Sequence, residues 1–415
     1  MALHVMDEAL RCLQCKNPTC RTGCPINTDI PTAIRLLREN KLDEAGKLLF
    51  YNNPLTTVCS LVCNHENQCE GHCILARKGA PVHFSLIENY ISSYYATQMT
   101  EGPKQSNGIK VAIIGSGPAG LTIAIILARY GYQVTIFESK DKIGGVLRYG
   151  IPEFRLPKSV LEDIKYRHID MKGIRFRPNT DIGVAITIDD LFRDGYKSVF
   201  VGTGIWKPRT LKIKGETFGN AHFAINYLNN PDSYNLGNRV IIIGAGNAAM
   251  DVARTILRKG SRNVTCFSIT KKVNASEYEY SYAKLEGIHF EYNKRPIEIL
   301  DDGVIFRDLN EDEEGNLTDI EGTDTKYESD SVIIAISQGP QNKLVNTTKG
   351  LESNGSGLLI ADETGHTSRP GVFASGDVVN GARTVVEAVA HSKIVAESMH
   401  RYMQEQLKNE QKTEE

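Results

Sequence analysis

The 415-residue chain has little that is typical of a membrane protein or a nucleic-acid-binding protein. No run comes near the roughly 18 uninterrupted apolar residues of a membrane span. Residues 1–8 lack the basic and apolar parts of a secretory signal. Lys and Arg number 48 and Asp and Glu 50, so the formal net charge of −2 supplies no general attraction for nucleic acid or for an anionic membrane. We therefore expect a cytoplasmic protein without either kind of partner.

Cysteine is rare outside one short stretch. Eight of the nine cysteines lie between Cys12 and Cys73, and the ninth, Cys266, is expected to be a small buried residue on a strand. Crowded cysteines in a reducing compartment favour metal ligation over disulfides. The spacings are Cys12-x2-Cys15-x4-Cys20-x3-Cys24-Pro25 and Cys59-x3-Cys63-x5-Cys69-x3-Cys73. The first run is similar to that of ferredoxins and favours two [4Fe–4S] clusters. Two structural zinc sites are the alternative.

The pattern of apolar residues predicts an α/β protein with a helical beginning. A pair of helices is expected between Asp29 and Pro54, and the polar segment 100–108 is expected to be a linker. Strand, glycine loop, helix and strand then follow one another at 110–137 and again at 239–267. This repetition predicts two Rossmann-like dinucleotide-binding domains after an α-helical iron–sulfur domain. The predicted parts are 1–99 (the iron–sulfur domain), 109–230 and 336–405 (two parts of the first dinucleotide-binding domain), 231–335 (the second dinucleotide-binding domain) and 406–415 (a charged, frayed tail).

The first glycine loop, Gly115-Ser116-Gly117-Pro118-Ala119-Gly120, directly follows a predicted strand and opens a predicted helix. In this context the glycines allow a tight turn, a close approach to a pyrophosphate and close packing of helix on strand. Glu138 ends the next strand and is placed to accept hydrogen bonds from a ribose. The loop therefore predicts a dinucleotide site.

The second glycine loop, Gly244-Ala245-Gly246-Asn247-Ala248-Ala249, repeats the pattern and is expected to bind NAD(P)H. Ser268 stands where an acidic residue would bind the ribose of NADH, and Lys271 and Lys272 nearby would tolerate the 2′-phosphate of NADPH. Hydride transfer between nicotinamide and flavin needs stacking and orientation, so no catalytic side chain is predicted.

Together these motifs resemble the glutamate synthase small-subunit family, which includes the flavin subunit of bacterial dihydropyrimidine dehydrogenase. The most specific segments are 12–25, 144–157, 244–254 and 372–389. The resemblance implies that the first loop binds FAD, with a Gly-Asp segment at 376–377 near the ribityl chain and a following helix aimed at the ring. The expected FAD residues are Gly115, Gly117, Pro118, Ala119, Gly120, Glu138, Gly145, Leu147, Arg155, Gly376, Asp377, Thr384 and Val385. The expected nicotinamide residues are Gly244, Gly246, Asn247, Ala248, Ser268, Lys271 and Lys272.

The resemblance also implies two sets of cluster ligands. The first set is Cys12, Cys15, Cys20 and Cys73. The second set is Cys24, Cys63, Cys69 and Glu88. This assignment leaves Cys59 spare, whereas simple counting makes Cys59 the eighth ligand. The chain departs from the family at Asn64, where proline is common, and after Ser268, where NADPH-using members carry an arginine pair. The choice between NADH and NADPH therefore stays open.

The implied function is transfer of electrons from NAD(P)H through FAD and two [4Fe–4S] clusters to a larger catalytic subunit in a hetero-oligomer. That partner would be an FMN barrel that reduces a pyrimidine, or an amidotransferase-linked glutamate synthase. Two other hypotheses remain. One is a stand-alone reductase for ferredoxin or another diffusible acceptor, with a zinc-bound amino-terminal part. The other is a non-catalytic, nucleotide-binding redox sensor.

Overall fold

The computed structural model describes residues 4–100 and 102–414, with side chains as far as Asn409. The α-helices are α1 (Val5–Leu10), α2 (Thr19–Thr22), α3 (Ile30–Arg38), α4 (Leu42–Asn52), α5 (Thr56–Val62), α6 (Phe84–Gln98), α7 (Pro118–Arg129), α8 (Val146–Tyr149), α9 (Lys158–Ile164), α10 (Ile188–Arg193), α11 (Ala224–Asn229), α12 (Asn247–Arg258), α13 (Glu277–Leu285), α14 (Lys343–Thr347), α15 (Asp377–Asn380) and α16 (Val385–Glu414). Short 3-10 helices cover His65–Asn67, Ile74–Lys78 and Pro231–Ser233, and a π-helix covers Lys165–Asp170.

The strands are β1 (Lys110–Ile114), β2 (Gln133–Phe137), β3 (Arg175–Arg177), β4 (Tyr196–Val201), β5 (Lys207–Pro208), β6 (Ala221–Phe223), β7 (Arg239–Ile243), β8 (Asn263–Phe267), β9 (His289–Glu291), β10 (Lys294–Leu300), β11 (Gly303–Glu311), β12 (Leu317–Asp319), β13 (Thr325–Glu328), β14 (Ser331–Ile334), β15 (Gln338–Gly339) and β16 (Val372–Ala374). The chain divides into two compact units. The first comprises the described parts of Met1–Leu147, Glu153–Ile205 and Pro340–Glu415, and the second comprises Arg148–Pro152 and Trp206–Gly339.

The amino-terminal part of the first unit is helical, as predicted. The expected helix pair is α3 and α4, and α3 begins with Pro31 in its first turn, where a missing N–H costs nothing. Its apolar face packs with α1, α4 and α6 in a core that includes Ile34, Leu49 and Ile87. At Gly46 of α4, a Cβ would lie 2.3 Å from the Tyr95 side chain, so glycine lets α4 and α6 cross closely.

The first unit also contains a five-stranded parallel sheet in the order β16-β4-β1-β2-β3. Strands β1 and β2 have the predicted bounds, and the last four residues of each are buried. Continuous apolar strands are expected in a parallel sheet that is covered on both faces. The strand order reverses direction at β1, so the loop after β1 opens into the crevice where such sheets bind ligands.

The second unit contains another five-stranded parallel sheet, β6-β14-β7-β8-β9. Strands β7 and β8 again have the predicted bounds, and Cys266 on β8 is fully buried, as expected. An antiparallel group, β10 to β13, precedes β14. The ring of Phe306 in this group stacks on Phe267 of β8 with centroids 3.9 Å apart. The short strands β5 and β15, near the two ends of Trp206–Gly339, pair with each other in antiparallel fashion.

Helix α16 corrects one prediction. The charged tail was expected to be frayed, yet α16 continues as far as Glu414. Residues 404–414 are mostly Gln, Glu and Lys, which have high helix propensity, so helix continues in spite of the charge. In the part of the chain that the structure describes, no helix has both the length and the apolar character needed to cross a membrane.

Candidate cofactor sites

The loop after β1 has the geometry of a pyrophosphate cradle. Gly115 has φ +96°, and a Cβ there would lie 2.6 Å from the Gly202 carbonyl oxygen. A Cβ at Gly120 would lie 2.0 Å from the Gly115 carbonyl oxygen, so both positions require glycine. At Gly117 a Cβ would meet nothing within 4 Å, and the space before α7 is open. Helix α7 begins at Pro118, with Ala119 next, and its first-turn amides lack intrahelical partners and attract anions. This space fits a pyrophosphate.

Glu138 lies directly after β2 and against the same loop. Its carboxylate accepts hydrogen bonds from the amides of Ser116 (2.8 Å) and Lys140 (2.9 Å). It also accepts from the hydroxyls of Ser116 (2.5 Å) and Ser139 (3.2 Å). A carboxylate offers about four acceptor positions, and all four are used here. The two hydroxyls can rotate away, so ribose hydroxyls can replace them while the amides keep Glu138 in position.

Two distant segments meet the glycine loop. Gly145 has φ +53°, and a Cβ there would lie 2.8 Å from Gly117 Cα. Gly376, with φ +77°, lies close to the start of α7, and a Cβ at Gly376 would be 3.0 Å from Ala119 Cβ. Leu147, next to this turn, is fully buried, and Arg155 is partly buried. The structure therefore gathers the predicted glycines of the flavin site around the start of α7.

Asp377 and Thr384 lie on either side of a turn that leads into α16. Asp377 accepts a hydrogen bond from the Arg383 amide (3.3 Å), and burial raises the pKa of its carboxyl to about 6. Thr384 caps α16, which begins at Val385. Its hydroxyl donates to Glu387 (2.6 Å), and the Glu387 amide donates back to Thr384 Oγ1 (3.4 Å). This reciprocal cap fixes the start of a long helix, whose amino end carries partial positive charge.

The loop after β7 repeats the first cradle. Gly244 has φ +127°, and a Cβ there would lie 2.4 Å from the Ala335 carbonyl oxygen. A Cβ at Gly246 would meet nothing within 4 Å. Asn247 and Ala248 form the start of α12, and Asn247 Oδ1 accepts a hydrogen bond from the Ser276 amide (2.9 Å). The second unit therefore also has an open anion cradle.

The residues expected near the nicotinamide cofactor's ribose differ in their surroundings. Ser268, just after β8, is buried, and its hydroxyl lies 3.2 Å from Thr270 Oγ1. Lys271 is exposed, but its ammonium donates to the Glu311 carbonyl oxygen (2.9 Å) and its amide to the Glu311 carboxylate (2.7 Å). Lys272 is exposed as well. Of the two lysines, Lys272 is thus the one not held against Glu311.

The first predicted set of cysteines is brought together by the fold. The thiol of Cys20 interacts electrostatically with those of Cys73, Cys12 and Cys15. Burial, together with these neighbours, raises the pKa of Cys20 to about 11, and burial also raises the pKa of Cys12. Crowded, half-buried thiols resist ionisation unless cations compensate them, as iron does when it binds thiolates. This donor set fits an iron–sulfur cluster.

The second set combines three cysteines with a carboxylate. Burial raises the pKa of Cys69, and the neighbouring Glu88 and Cys24 add to this effect. A hydrogen bond with Cys59, and then burial, raise the pKa of Cys63. Glu88 on α6 is buried, and burial raises the pKa of its carboxyl to about 7. A buried acid beside thiols fits a metal ligand better than an ordinary core position.

The ligands within each set lie near one another, but they are not arranged around a single metal ion. Within residues 4–100 and 102–414, no group of three or more His, Cys, Asp or Glu side chains is placed to hold a metal ion. Four thiolates around one zinc converge on a point about 2.3 Å from each sulfur. A [4Fe–4S] cluster binds each ligand through a different iron, so its ligands need not converge in this way.

Sequence reasoning missed two groups of residues around the second set. Thr56 on α5 donates a 2.7 Å hydrogen bond to Glu88, and it shares a helix face with Cys59, three residues on. The three-residue spacing between Thr56 and Cys59 could therefore have identified Thr56 from the sequence.

The other missed group is a chain of hydrogen bonds to α16. Cys24 Sγ lies 3.3 Å from Thr28 Oγ1, and Asn52 Nδ2 donates to that same oxygen (3.1 Å). Lys393 of α16 donates to Asn52 Oδ1 (2.6 Å). Asn52 and Lys393 are 341 residues apart, so no local pattern could have revealed their contact.

Two family models match the chain. Residues 109–392 match the pyridine nucleotide-disulphide oxidoreductase family, and residues 2–100 match dihydropyrimidine dehydrogenase domain II, 4Fe-4S cluster. Two solved structures share the fold of the larger part. FprA of Mycobacterium tuberculosis in complex with NADPH is 16% identical, with a TM-score of 0.62 over 72% of this chain and 86% of that one. Thioredoxin reductase of T. acidophilum is 23% identical, with a TM-score of 0.56 over 71% and 98%.

Curated relatives match nearly the whole chain. The glutamate synthase [NADPH] small chain of Escherichia coli is 32% identical over 96% of this chain and 91% of its own length. The NAD-dependent dihydropyrimidine dehydrogenase subunit PreT of Escherichia coli is 31% identical over 97% and 95%. The expected α/β fold, the family and the cofactors are therefore confirmed. The chain belongs to the pyridine nucleotide-disulphide oxidoreductase family, among the relatives of the glutamate synthase small chain, and is an NAD(P)H-dependent FAD and iron–sulfur oxidoreductase.

Proposed function

We propose that this chain is the electron-input subunit of a larger enzyme, which takes electrons from NAD(P)H onto FAD and passes them through two [4Fe–4S] clusters to a catalytic partner. The observation that carries the proposal is the hydrogen-bonded chain Cys24–Thr28–Asn52–Lys393. It connects a predicted cluster ligand to α16, the helix that starts at the predicted flavin residues. A flavin site and a thiol site joined in this way suit electron transfer.

The chain's own residues bind and orient the cofactors. The loop 115–120 and the start of α7 would hold the FAD pyrophosphate, Glu138 the ribose, and Asp377 the ribityl hydroxyls. FAD accepts a hydride and can release its electrons singly, which is the chemistry that connects NAD(P)H to clusters. The amino end of α16 would stabilise negative charge on the reduced ring.

We assign Cys12, Cys15, Cys20 and Cys73 to one cluster and Cys24, Cys63, Cys69 and Glu88 to the other. The electrostatic neighbours of Cys20, Cys63 and Cys69 support this division. Cys59 hydrogen-bonds to Cys63, which supports a role for Cys59 beside the second cluster.

The proposal includes binding of NADPH or NADH and a larger partner that accepts the electrons. Binding of NADPH is supported by the buried Ser268, which supplies no carboxylate for the diol of NADH, and by the exposed Lys272, which is not held against Glu311. NADH is also a candidate, because the relatives' names include both an NADPH-linked glutamate synthase and an NAD-dependent dehydrogenase. Those names describe a small chain and a subunit, which supports a larger partner here.

The test is an anaerobic titration of the reconstituted full-length protein with NADH and then with NADPH. Flavin and cluster absorption are followed separately, and iron, sulfide and zinc are measured. We expect about eight iron atoms per chain, from two four-iron clusters, and bleaching of the flavin and then of the clusters. Zinc in place of iron would point to the stand-alone reductase. Bound flavin that neither nucleotide bleaches would point to a redox sensor.

A further inference from the structure

The first cysteine set lies close to solvent. The thiols of Cys12, Cys15, Cys20 and Cys73 are all partly exposed. They line one pocket together with Leu13 and Ile74. A redox centre that hands electrons to another protein must approach that protein closely, so the residues around this pocket are candidates for the contact.

Two chain segments form this surface together. The Arg11 guanidinium donates to the carbonyl oxygens of Pro81 (2.9 Å) and Ala80 (2.6 Å). The Thr19 hydroxyl donates to the His72 carbonyl oxygen (2.5 Å). These bonds join segment 10–24 to segment 71–81, so side chains from both segments belong to one surface.

The centre of this surface is apolar and exposed. Leu13 is 62% exposed and Ile74 is 47% exposed, and Leu10 nearby is 57% exposed. Single exposed apolar residues are ordinary, but several together at the mouth of a pocket are typical of protein contacts. Leu13 and Ile74 also line the cysteine pocket itself, so the apolar centre and the predicted cluster coincide.

The charged side chains of the two segments that form this surface have one sign. Segments 10–24 and 71–81 contain five Lys and Arg residues and no Asp or Glu. Two of the five are paired, Arg11 with Glu8 at 2.6 Å and Arg21 with Asp29 at 3.7 Å. The others, Lys16, Arg77 and Lys78, are exposed and form no ion pair with any carboxylate in the described ranges. The surface is therefore basic on a chain whose net charge is slightly negative.

We propose that the cysteine-loop face, defined by Leu13, Lys16, Ile74, Arg77 and Lys78, is the docking surface for an electron-accepting protein with an acidic surface over its own redox centre. The inference rests on the proposed function, since it needs a cluster beneath the face. Opposite charges steer the two centres together and set their orientation, and the apolar centre excludes water once they meet.

The test uses two probe proteins, an acidic plant-type ferredoxin and a basic cytochrome c. Binding of the oxidised, cluster-loaded protein to each probe is measured at low and high salt. Reduction of cytochrome c by NAD(P)H is measured in parallel. The variant is Lys16→Glu with Arg77→Glu and Lys78→Glu. The matched control is Lys104→Glu with Arg401→Glu and Lys408→Glu, which makes the same change in net charge at exposed positions outside segments 10–24 and 71–81.

We expect the face variant to bind ferredoxin at least about tenfold more weakly, to lose the salt dependence, and to reduce cytochrome c faster. The control should keep the behaviour of the unmodified protein. Leu13→Ala should weaken ferredoxin binding without changing its salt dependence. Equal effects in the variant and the control, or no effect in either, would overturn the docking surface.

Flavin and cluster bleaching by NAD(P)H is recorded for every protein. No bleaching in the unmodified protein contradicts the proposed function. Normal bleaching with unchanged ferredoxin binding in the face variant contradicts the docking surface alone.

Discussion

Asp377 is a carboxyl group that the fold keeps largely away from water. Burial raises its pKa from 3.8 to about 6, so at pH 7 it remains ionised at a cost of roughly 3 kcal/mol. We predict that Asp377→Asn raises the free energy of unfolding of the flavin-free protein at pH 7 by up to that amount, while it lowers the flavin content. Denaturant unfolding and flavin absorbance measure the two effects.

A flavin-free Asp377→Asn protein that is less stable than the original would contradict this explanation of the raised pKa. Glu387→Gln serves as the comparison, because Glu387, a partly exposed residue of α16, adds to the same shift in the pKa of Asp377.

Thr56 is the described donor to the buried Glu88 carboxylate, at 2.7 Å. If Glu88 ligates iron, the Thr56 hydroxyl orients the ligand from outside the cluster, a role that usually affects metal affinity and potential. We predict that Thr56→Val changes the electron paramagnetic resonance spectrum and lowers the occupancy of one cluster only, and that Thr56→Ser restores both. Equal damage to both clusters would show that Thr56 supports only the local fold.

Individual residues differ in how far the sequence could identify them. Gly115, Gly120 and Gly244 were predictable, because each is required by a local turn or a close backbone contact. Thr56 was recoverable from its spacing to Cys59. Lys271 was nominated from its charge alone, and its tether to Glu311 depends on β11, 40 residues further along.

Helix α4 ends in three residues that contact other parts of the first unit. The ring of Phe50 stacks on His168 at 4.9 Å, the Arg129 guanidinium lies 4.3 Å from the Tyr51 ring centre, and Asn52 binds Lys393. The end of α4 therefore connects the cysteine-rich helices to the π-helix, to α7 and to α16. Because α4 runs from Leu42 to Asn52, its last turn is the part that reaches these partners.

Lys393 brings a positive charge to the second cysteine set. Burial lowers its pKa, and the nearby Cys24 opposes that effect. We predict that Lys393→Met lowers the reduction potential of the cluster bound by Cys24 by on the order of 50 mV, because a cation favours the electron-rich state. Anaerobic redox titration measures this shift. Lys408→Met, an exposed position on the same helix, is the control and should leave the potential unchanged.

His168 should make the first unit sensitive to acid. Burial lowers its pKa from 6.5 to about 4, and its Nδ1 atom has no hydrogen-bond partner in the described structure. Between these two pH values the unfolded chain binds the proton and the folded protein does not, so stability falls as pH falls. The slope should reach about 1.4 kcal/mol per pH unit.

We predict that His168→Phe reduces this loss of stability between pH 6.5 and 4, as followed by denaturant unfolding at several pH values. His4→Gln, at a largely exposed position, should not. If His168→Phe and the original protein lost stability in the same way as the pH falls, the buried imidazole would not be the cause of that loss.

At the scale of elements, the sequence located β1, β2, β7 and β8 to the residue. A short apolar run that is bounded by a glycine loop leaves few other positions at which the strand could begin or end. It failed at α16, because charge was taken as a sign of disorder although Glu, Lys and Gln favour helix. It also left the group β10 to β13 unassigned, since its strands are held by pairing that only the fold creates.

At the scale of the whole molecule, reduction of the flavin should be separable from electron transfer through the clusters. Cys20→Ser removes a proposed ligand of the first cluster and touches no proposed flavin residue. We predict that NAD(P)H still bleaches the flavin of this variant, while reduction of the ferredoxin or cytochrome c probe fails. Iron content and stopped-flow absorbance measure both. Slower flavin bleaching with normal probe reduction would contradict the proposed order of transfer.

The pairing of β5 with β15 has a consequence for engineering. These strands lie near the two ends of Trp206–Gly339, so that segment enters and leaves its unit through adjacent points. Segments with neighbouring ends can be exchanged between proteins at low cost to the host. If this segment holds the nicotinamide cofactor as proposed, we expect that grafting the corresponding segment of a relative with a different coenzyme choice changes the coenzyme preference of this protein through only two junctions.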